Sequence, residues 1–248
     1  QIWEAIHEAT NQPFALKMLL PEAMNDASEK ALLKHEAKVA QTLEHPNLNR
    51  CHGVVIRKTE CYLILDMFKS PNLKAFIHHD RPGVLQRFGQ LMEGICLGLG
   101  HMHQKGWVHL DLKPDNILMS RSGEVRIIDF SLGQKIASPL QVMMAGSGKK
   151  GGVIRGTRSY LAPETIRKQP ATAATDIYSL GVTFFECITG TTPFKGDTPA
   201  DLLRKHIAAV PPLPSMYNPD ATPELDAFIH KMLAKKPKSR FQSMEEVL

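Results

Sequence analysis

The octapeptide His109-Leu110-Asp111-Leu112-Lys113-Pro114-Asp115-Asn116 constrains this chain more than any other stretch. Proline and asparagine are turn residues, so it reads as a short loop. That loop holds a base, a cation and an amide ligand. Thirteen positions after Asn116 comes Asp129-Phe130, at the end of the apolar run Val125 to Ile128. Asp111 can take a hydroxyl proton, Lys113 can neutralise transferring phosphoryl oxygens, and Asn116 with Asp129 can hold a divalent metal. These are the parts that phosphoryl transfer from ATP requires. A polar turn alone needs no such set.

The bulk properties remove other classes. The chain has 248 residues, room for one large or two small domains. It is 43% hydrophobic and 22% charged, the balance of a soluble globular chain. The net charge of +5 is mild, and the cations are scattered, with tight pairs only at Lys149-Lys150 and Lys235-Lys236. A nucleic-acid face needs a stripe of cations, so no nucleic-acid partner is expected. Cys51, Cys61, Cys96 and Cys187 form no C-x-x-C pair, which speaks against zinc. Their apolar neighbours suggest buried thiols in a reducing compartment. His101-Met102-His103 reads as the polar end of a helix rather than a metal site. No signal peptide or membrane-spanning run is visible, so a cytoplasmic location is expected, alone or as the cytoplasmic domain of a membrane-anchored protein. The chain opens mid-pattern at Gln1 and stops in a helix-like run at Leu248, and so reads as a fragment. The sequence leaves the oligomeric state open.

Residues 2–8 and 13–19 read as strands around the turn Thr10-Asn11-Gln12. Residues 26–43 read as a helix capped by Asp26, with Glu29 three positions on and an apolar stripe of Leu32, Leu33, Ala37 and Ala40. His45-Pro46-Asn47 ends it, and strands follow near 52–57 and 61–67. After Ser70-Pro71-Asn72 the chain turns mostly helical. The run Val84 to His103 carries Leu85, Phe88, Met92, Ile95, Leu99 and Met102 on one stripe of a long helix. Gly94, Gly98 and Gly100 weaken it by about 1 kcal/mol each relative to alanine, so packing must stabilise it. Short strands near 117–119 and 125–128 flank the turn Ser122-Gly123. Residues 129–164 show no sustained period, and Gly146 to Gly152 is flexible by composition. Helices recur near 174–189, 197–208 and 222–234.

The order and spacing of these motifs resemble the catalytic domain of eukaryotic-type serine/threonine protein kinases, where His-Arg-Asp-x-x-x-x-Asn precedes Asp-Phe-Gly. The resemblance covers essentially the whole chain. It implies an α+β, bilobal protein-kinase fold: a small antiparallel-sheet N-lobe with one helix over 1–66, a hinge region at 67–72, and a larger, mostly helical C-lobe over 73–248, truncated in its last helix. Phe14-Ala15-Leu16-Lys17 resembles the Val-Ala-Ile-Lys strand, and Glu36, nineteen positions on, is the implied partner of Lys17. That pair would aim the ammonium at the phosphates of ATP. Asp111 is the implied catalytic base, and Lys113 stabilises the transferring phosphoryl group. Asn116 and Asp129 hold Mg2+. Leu65-Asp66-Met67-Phe68 is the implied hinge for the adenine edge, with Ile2, Ala15 and Leu118 above and below the ring and Asn72 a further implied ATP-binding residue. Gly156 to Glu164 resembles the peptide-docking loop and Ala-Pro-Glu motif. There Thr157 bridges Asp111 and Lys113, as in kinases acting on serine and threonine, so a protein substrate is implied. Glu164 is expected to pair with Arg240, and Asp176 to brace the catalytic loop from a buried helix.

Three departures stand out. The Gly-rich loop over the phosphates is absent, since Ile2 falls just after it. Leu110 replaces the Arg that usually answers a phosphate on the activation loop. Ser131 replaces the Gly of Asp-Phe-Gly, which is expected to restrict flipping of Phe130. Activation-loop phosphorylation, with Ser138, Ser147 and Thr157 as candidates, is therefore not expected to be required. Two competing functions remain: a pseudokinase acting as a binding or scaffolding module, and a small-molecule kinase of the same superfamily.

Overall fold

The computed structural model describes residues 1–144 and 156–248. The stretch Gly146 to Gly152, with the candidate Ser147, lies outside the described residues. Alternating apolar strands build the first lobe. β1 (Ile2–Ile6), β2 (Pro13–Met18), β3 (Cys51–Ile56) and β4 (Cys61–Asp66) form an antiparallel sheet in the order β1-β2-β4-β3. β1 ends two residues earlier than expected. His7 N–H donates to Gln12 O at 2.9 Å and Asn11 takes a left-handed φ of 57°, which closes the turn there. α1 (Ala27–Ala40) packs on the sheet through Leu33, Ala37, Val39 and Ala40, whereas Leu32 is only half-buried. Asp26 caps α1, accepting from Ser28 N–H at 2.7 Å. The box with Glu29 does not close, because the Asp26 N–H goes to Ala23 O.

Asn47 anchors this lobe to the next. Its side chain donates to Val125 O at 3.0 Å, and its carbonyl accepts from Ile127 N–H at 2.8 Å. The segment after β4 leads into α2 (Leu73–His79), capped by Asn72, which sequence periodicity did not reveal. The long helix expected from Val84 is two helices, α3 (Arg81–Gln86) and α4 (Phe88–Gln104). Asp80 caps α3, and Arg87 at φ −106° and ψ 15° breaks the pair. The buried stripe of α4 accordingly runs through Leu91, Ile95, Leu99 and Met102, not Phe88 and Met92, which are partly buried. Gly94 is required by close approach: a Cβ there would lie 2.9 Å from Val125 Cβ.

β5 (Trp107–Val108) precedes the catalytic-type loop, and β6 (Ile117–Met119) pairs with β7 (Val125–Ile127) after it. β8 (Gln134–Lys135) pairs with β5, and α5 (Pro139–Met144) and α6 (Pro163–Ile166) flank the undescribed stretch. α7 (Ala173–Thr189) is buried from Ala174 onward, the charged Asp176 and Glu186 included. α8 (Pro199–Ala208) and α9 (Pro223–Met232) complete the helical lobe. The last residues, 241–248, form turns rather than the helix-like run expected there. The four cysteines are buried free thiols, and burial pushes the Cys96 thiol up to about 12. The expected bilobal arrangement, an antiparallel-sheet lobe on a helical lobe, is present. Among the described residues no helix is long and apolar enough to cross a membrane.

Candidate active site

The cleft between the lobes is built from strand ends and short loops. Lys17 stands near the end of β2, and α1 presents Glu36 beneath it. Lys17 Nζ lies 2.9 and 2.8 Å from the two Glu36 oxygens and 3.1 Å from Asp129 Oδ1. Burial pulls the ammonium toward neutrality, but the two carboxylates outweigh it and hold its pKa above the ordinary lysine value. Asp129 follows β7 with a left-handed φ of 66°. Burial raises its carboxyl pKa, and the Lys17 ammonium and the Ser131 hydroxyl together bring it below the usual carboxylate value. The Ser131 hydroxyl donates to Asp129 Oδ1 at 2.7 Å. Reading Ser131 only as a stiffer glycine missed this bond. His35, next to Glu36 on α1, meets Gly133 O at 2.7 Å and so ties the helix to the segment that follows Asp129.

The loop after β5 is held from below by Asp176 on α7. His109 N–H and Leu110 N–H donate to its two oxygens at 2.8 and 2.9 Å, and His103 Nε2 lies 2.9 Å from Oδ2. Burial raises the Asp176 pKa, but His103 and these backbone donors overcome it and keep the group ionised, below its ordinary value. The brace expected of Asp176 is therefore in place. Asp111 is fixed from three sides. Lys113 Nζ lies 2.8 Å from its Oδ2, Thr157 N–H donates to Oδ1 at 2.9 Å, and Asn116 Nδ2 reaches its carbonyl at 2.8 Å. Lys113 Nζ also donates to Thr157 Oγ1 at 2.5 Å, so Thr157 does bridge the pair.

With Nδ2 of Asn116 engaged, its Oδ1 is left as an acceptor; Ile128 N–H donates to Asn116 O at 3.0 Å, one residue before Asp129, whose Oδ2 has no protein partner among the described residues. One amide oxygen and one carboxylate oxygen fit a hard cation such as Mg2+.

At the other end of the cleft, Ala15 pairs with Leu65 across β2 and β4, Ile2 pairs with Lys17 across β1 and β2, and Leu118 sits on β6. Among the described residues, the backbone N–H and C=O of Met67 and the N–H of Phe68 have no protein partner. Unpaired backbone groups of this kind need a ligand or water. The Asp66 side chain does not face a ligand: His52 Nε2 and Arg126 Nη1 hold its two oxygens at 2.6 and 2.9 Å. Asn72 is committed too, its Oδ1 capping α2 through Ala75 N–H at 2.9 Å and its backbone bridging to Leu118. Neither network was read from the sequence, because nothing in one dimension brings Arg126 of β7 to Asp66 or Leu118 of β6 to Asn72.

The peptide-docking loop is anchored in the helical lobe. Arg240 Nη1 and Nη2 reach the Glu164 oxygens at 2.7 and 2.9 Å, the expected pair. Tyr160 donates to Glu186 Oε2 at 2.6 Å, and Lys74 pairs with the same carboxylate. Leu110 lines a cleft beside the site. The cleft encloses about 600 Å³ and is also lined by Leu32, His35, Ser131 and Lys168 among others.

This geometry agrees with relatedness across the chain. It is 32% identical over 237 residues to the serine/threonine-protein kinase PknB of Mycolicibacterium smegmatis, covering 94% of this chain and 37% of that protein. A probable serine/threonine-protein kinase of Streptomyces coelicolor is 28% identical over 251 residues, covering 100% of this chain and 37% of its own length. The chain thus spans little more than a third of the length of the relatives it matches. The protein kinase domain description matches residues 1–248, the same stretch that places Lys17, Glu36, Asp111, Asn116 and Asp129 around one cleft, and the chain belongs to the protein kinase domain family.

Proposed function

We propose that this chain transfers the γ-phosphoryl group of ATP to serine or threonine hydroxyls of a protein substrate. The observation that carries the reading is the single cluster made by Lys17, Glu36 and Asp129, with Asp111, Lys113, Asn116 and Thr157 joined to one another at the base of the same cleft. Lys17, steadied by Glu36, would neutralise phosphate oxygens of bound ATP. The Met67 and Phe68 backbone would bond the adenine edge, with Ile2, Ala15, Leu65 and Leu118 around the ring and Asn72 at its margin through the backbone. Asp129 Oδ2 and Asn116 Oδ1 would hold Mg2+, which when bound supplies charge neutralisation to the phosphates. Asp111 orients the attacking hydroxyl and takes its proton. Lys113, shared between Asp111 and Thr157, stabilises the charge on the transferring group. The lobes divide at 66–73, where β4 ends and α2 begins.

The reading of a binding module without turnover gains no support, and the retained Lys17, Asp111, Asn116 and Asp129 speak against it. Transfer of radiolabelled phosphate from ATP to a protein acceptor tests the proposal. Asp111→Asn should lower the rate by about 10²–10⁴-fold with the fold intact. An active Asp111→Asn protein would refute the assignment.

A further inference from the structure

Asp66, Phe68 and Arg126 form an arrangement that the proposed chemistry does not use. Asp66 closes β4, and its carboxylate is divided between the lobes. Oδ1 lies 2.6 Å from His52 Nε2 on β3, and Oδ2 lies 2.9 Å from Arg126 Nη1 on β7. The same guanidinium stacks over the ring of Phe68, 5.1 Å from its centre. His52 is itself held edge-to-face against Phe14 at 5.0 Å, and Phe14 is the β2 residue that pairs with Asp66. Arg126 thus grips the residues on both sides of Met67. Between those two grips lie the Met67 N–H and C=O and the Phe68 N–H, the backbone groups without protein partners. Across the β6–β7 hairpin Arg126 stands opposite Leu118, the proposed floor of the adenine slot.

The six-residue connection from β4 to α2, with free backbone groups at Met67 and Phe68, samples several poses unless something fixes it. A planar guanidinium can make an ion pair with one neighbour and stack on another, which an ammonium cannot do at once. We propose that Arg126 is a positioning residue for the adenine base: from the helical lobe it locks Asp66 and Phe68, and so presets the Met67–Phe68 backbone that would read the base. Asp66 and His52 complete the clamp from the sheet lobe. The inference rests on the reading of residues 65–68 as the nucleotide hinge.

The test separates the base from the phosphates. Competition against a fluorescent ADP gives the affinities of the intact domain for adenosine and for inorganic tripolyphosphate. Arg126→Met, which keeps the apolar stem, should weaken adenosine by about tenfold and leave tripolyphosphate unchanged. In turnover the KM for ATP should rise with kcat nearly constant. Arg126→Lys, which keeps the charge but not the stack, should fall between the two and guards against misfolding of the methionine variant. If wild-type protein bound tripolyphosphate but not adenosine, the hinge reading would fail and the inference with it. If wild-type protein bound adenosine and both variants bound it equally well, or lost both ligands in proportion, the hinge would stand and the role given to Arg126 would be wrong.

Discussion

Leu110 occupies φ 67°, a region that costs a branched L-residue roughly 1–3 kcal/mol, and it does so one residue before the proposed base. The hydrogen bonds of His109 and Leu110 N–H to Asp176 offset that strain and fix where Asp111 points. Leu110 also bears on regulation. It lines a cleft of mixed polar and apolar walls, with Leu32, Leu132, Gln134 and Lys168 around it, at the position where the family's arginine would answer a phosphate. Thr157 is engaged by Lys113 and Asp111, so its hydroxyl is committed to the site. Ser138→Ala should therefore keep at least half of the wild-type phosphoryl-transfer rate, and stoichiometric phosphorylation at Ser138 should not raise it. A strong rise, read in the same radiolabel assay, would overturn this account. The Glu164–Arg240 pair belongs to stability rather than turnover. Arg240 is 3% exposed and Glu164 2%. Arg240→Ala strands a buried carboxylate and should cost about 3–5 kcal/mol in denaturant unfolding, whereas replacing both partners by apolar residues of similar volume should cost less.

At the scale of elements, α8 docks on α7 through a buried histidine. His206 has no exposed surface, its Nδ1 lies 3.0 Å from the Tyr178 hydroxyl, and its ring meets Phe194 edge-on at 5.0 Å. Lys235 Nζ donates to His206 O at 2.9 Å, which places an ammonium beside the ring. Burial first, and Lys235 second, lower the His206 pKa from 6.5 to about 4. The folded state therefore favours the neutral ring, while the unfolded chain takes up a proton near pH 6.5. The stability this gives is complete above pH 6.5 and is lost as pH falls toward 4, by about 3 kcal/mol. Unfolding midpoints measured from pH 7 to pH 4 should fall along that window, and His206→Gln should flatten the slope. No pattern in the sequence marked His206, since a lone histidine on an amphipathic helix has no spacing signature. The same limit explains the other misses. Periodicity placed the strands of the sheet lobe to within two residues because alternation and turn residues agree there. It ran α3 into α4 because the break at Arg87 involves neither proline nor glycine. The catalytic-type loop, by contrast, was legible residue by residue, because its chemistry demands fixed residue types within a short span. The clamp on Asp66 draws on His52, fourteen residues back on the neighbouring strand, and on Arg126, sixty residues on, and only folding brings the second to it.

The whole molecule is two lobes joined by one covalent connection, at 66–73, and by charges that cross the cleft. Lys17 reaches from the sheet lobe to Asp129, which follows the β7 strand of the helical lobe. Arg126 reaches back from β7 to Asp66. A nucleotide bound between them would add contacts to both sides at once, and a ligand that binds only the folded state stabilises it in proportion to its occupancy. At a free ADP–Mg2+ concentration one hundred times the dissociation constant the gain is about 2.7 kcal/mol. For a chain of this length that corresponds to a rise of roughly 5–10 °C in Tm. Thermal unfolding with and without ADP and Mg2+ should show that rise. Lys17→Met should abolish most of it, because the phosphates lose their cation, while its own Tm without nucleotide falls, because Glu36 stays buried without a partner. Asp129→Asn should keep the response to ADP alone and lose the increment that Mg2+ adds. The two variants thus divide the stabilisation between the phosphate contact and the metal contact. If Asp129→Asn retained the full Mg2+ increment, Asp129 would not be the metal ligand, and the cleft would be holding its nucleotide in some other way.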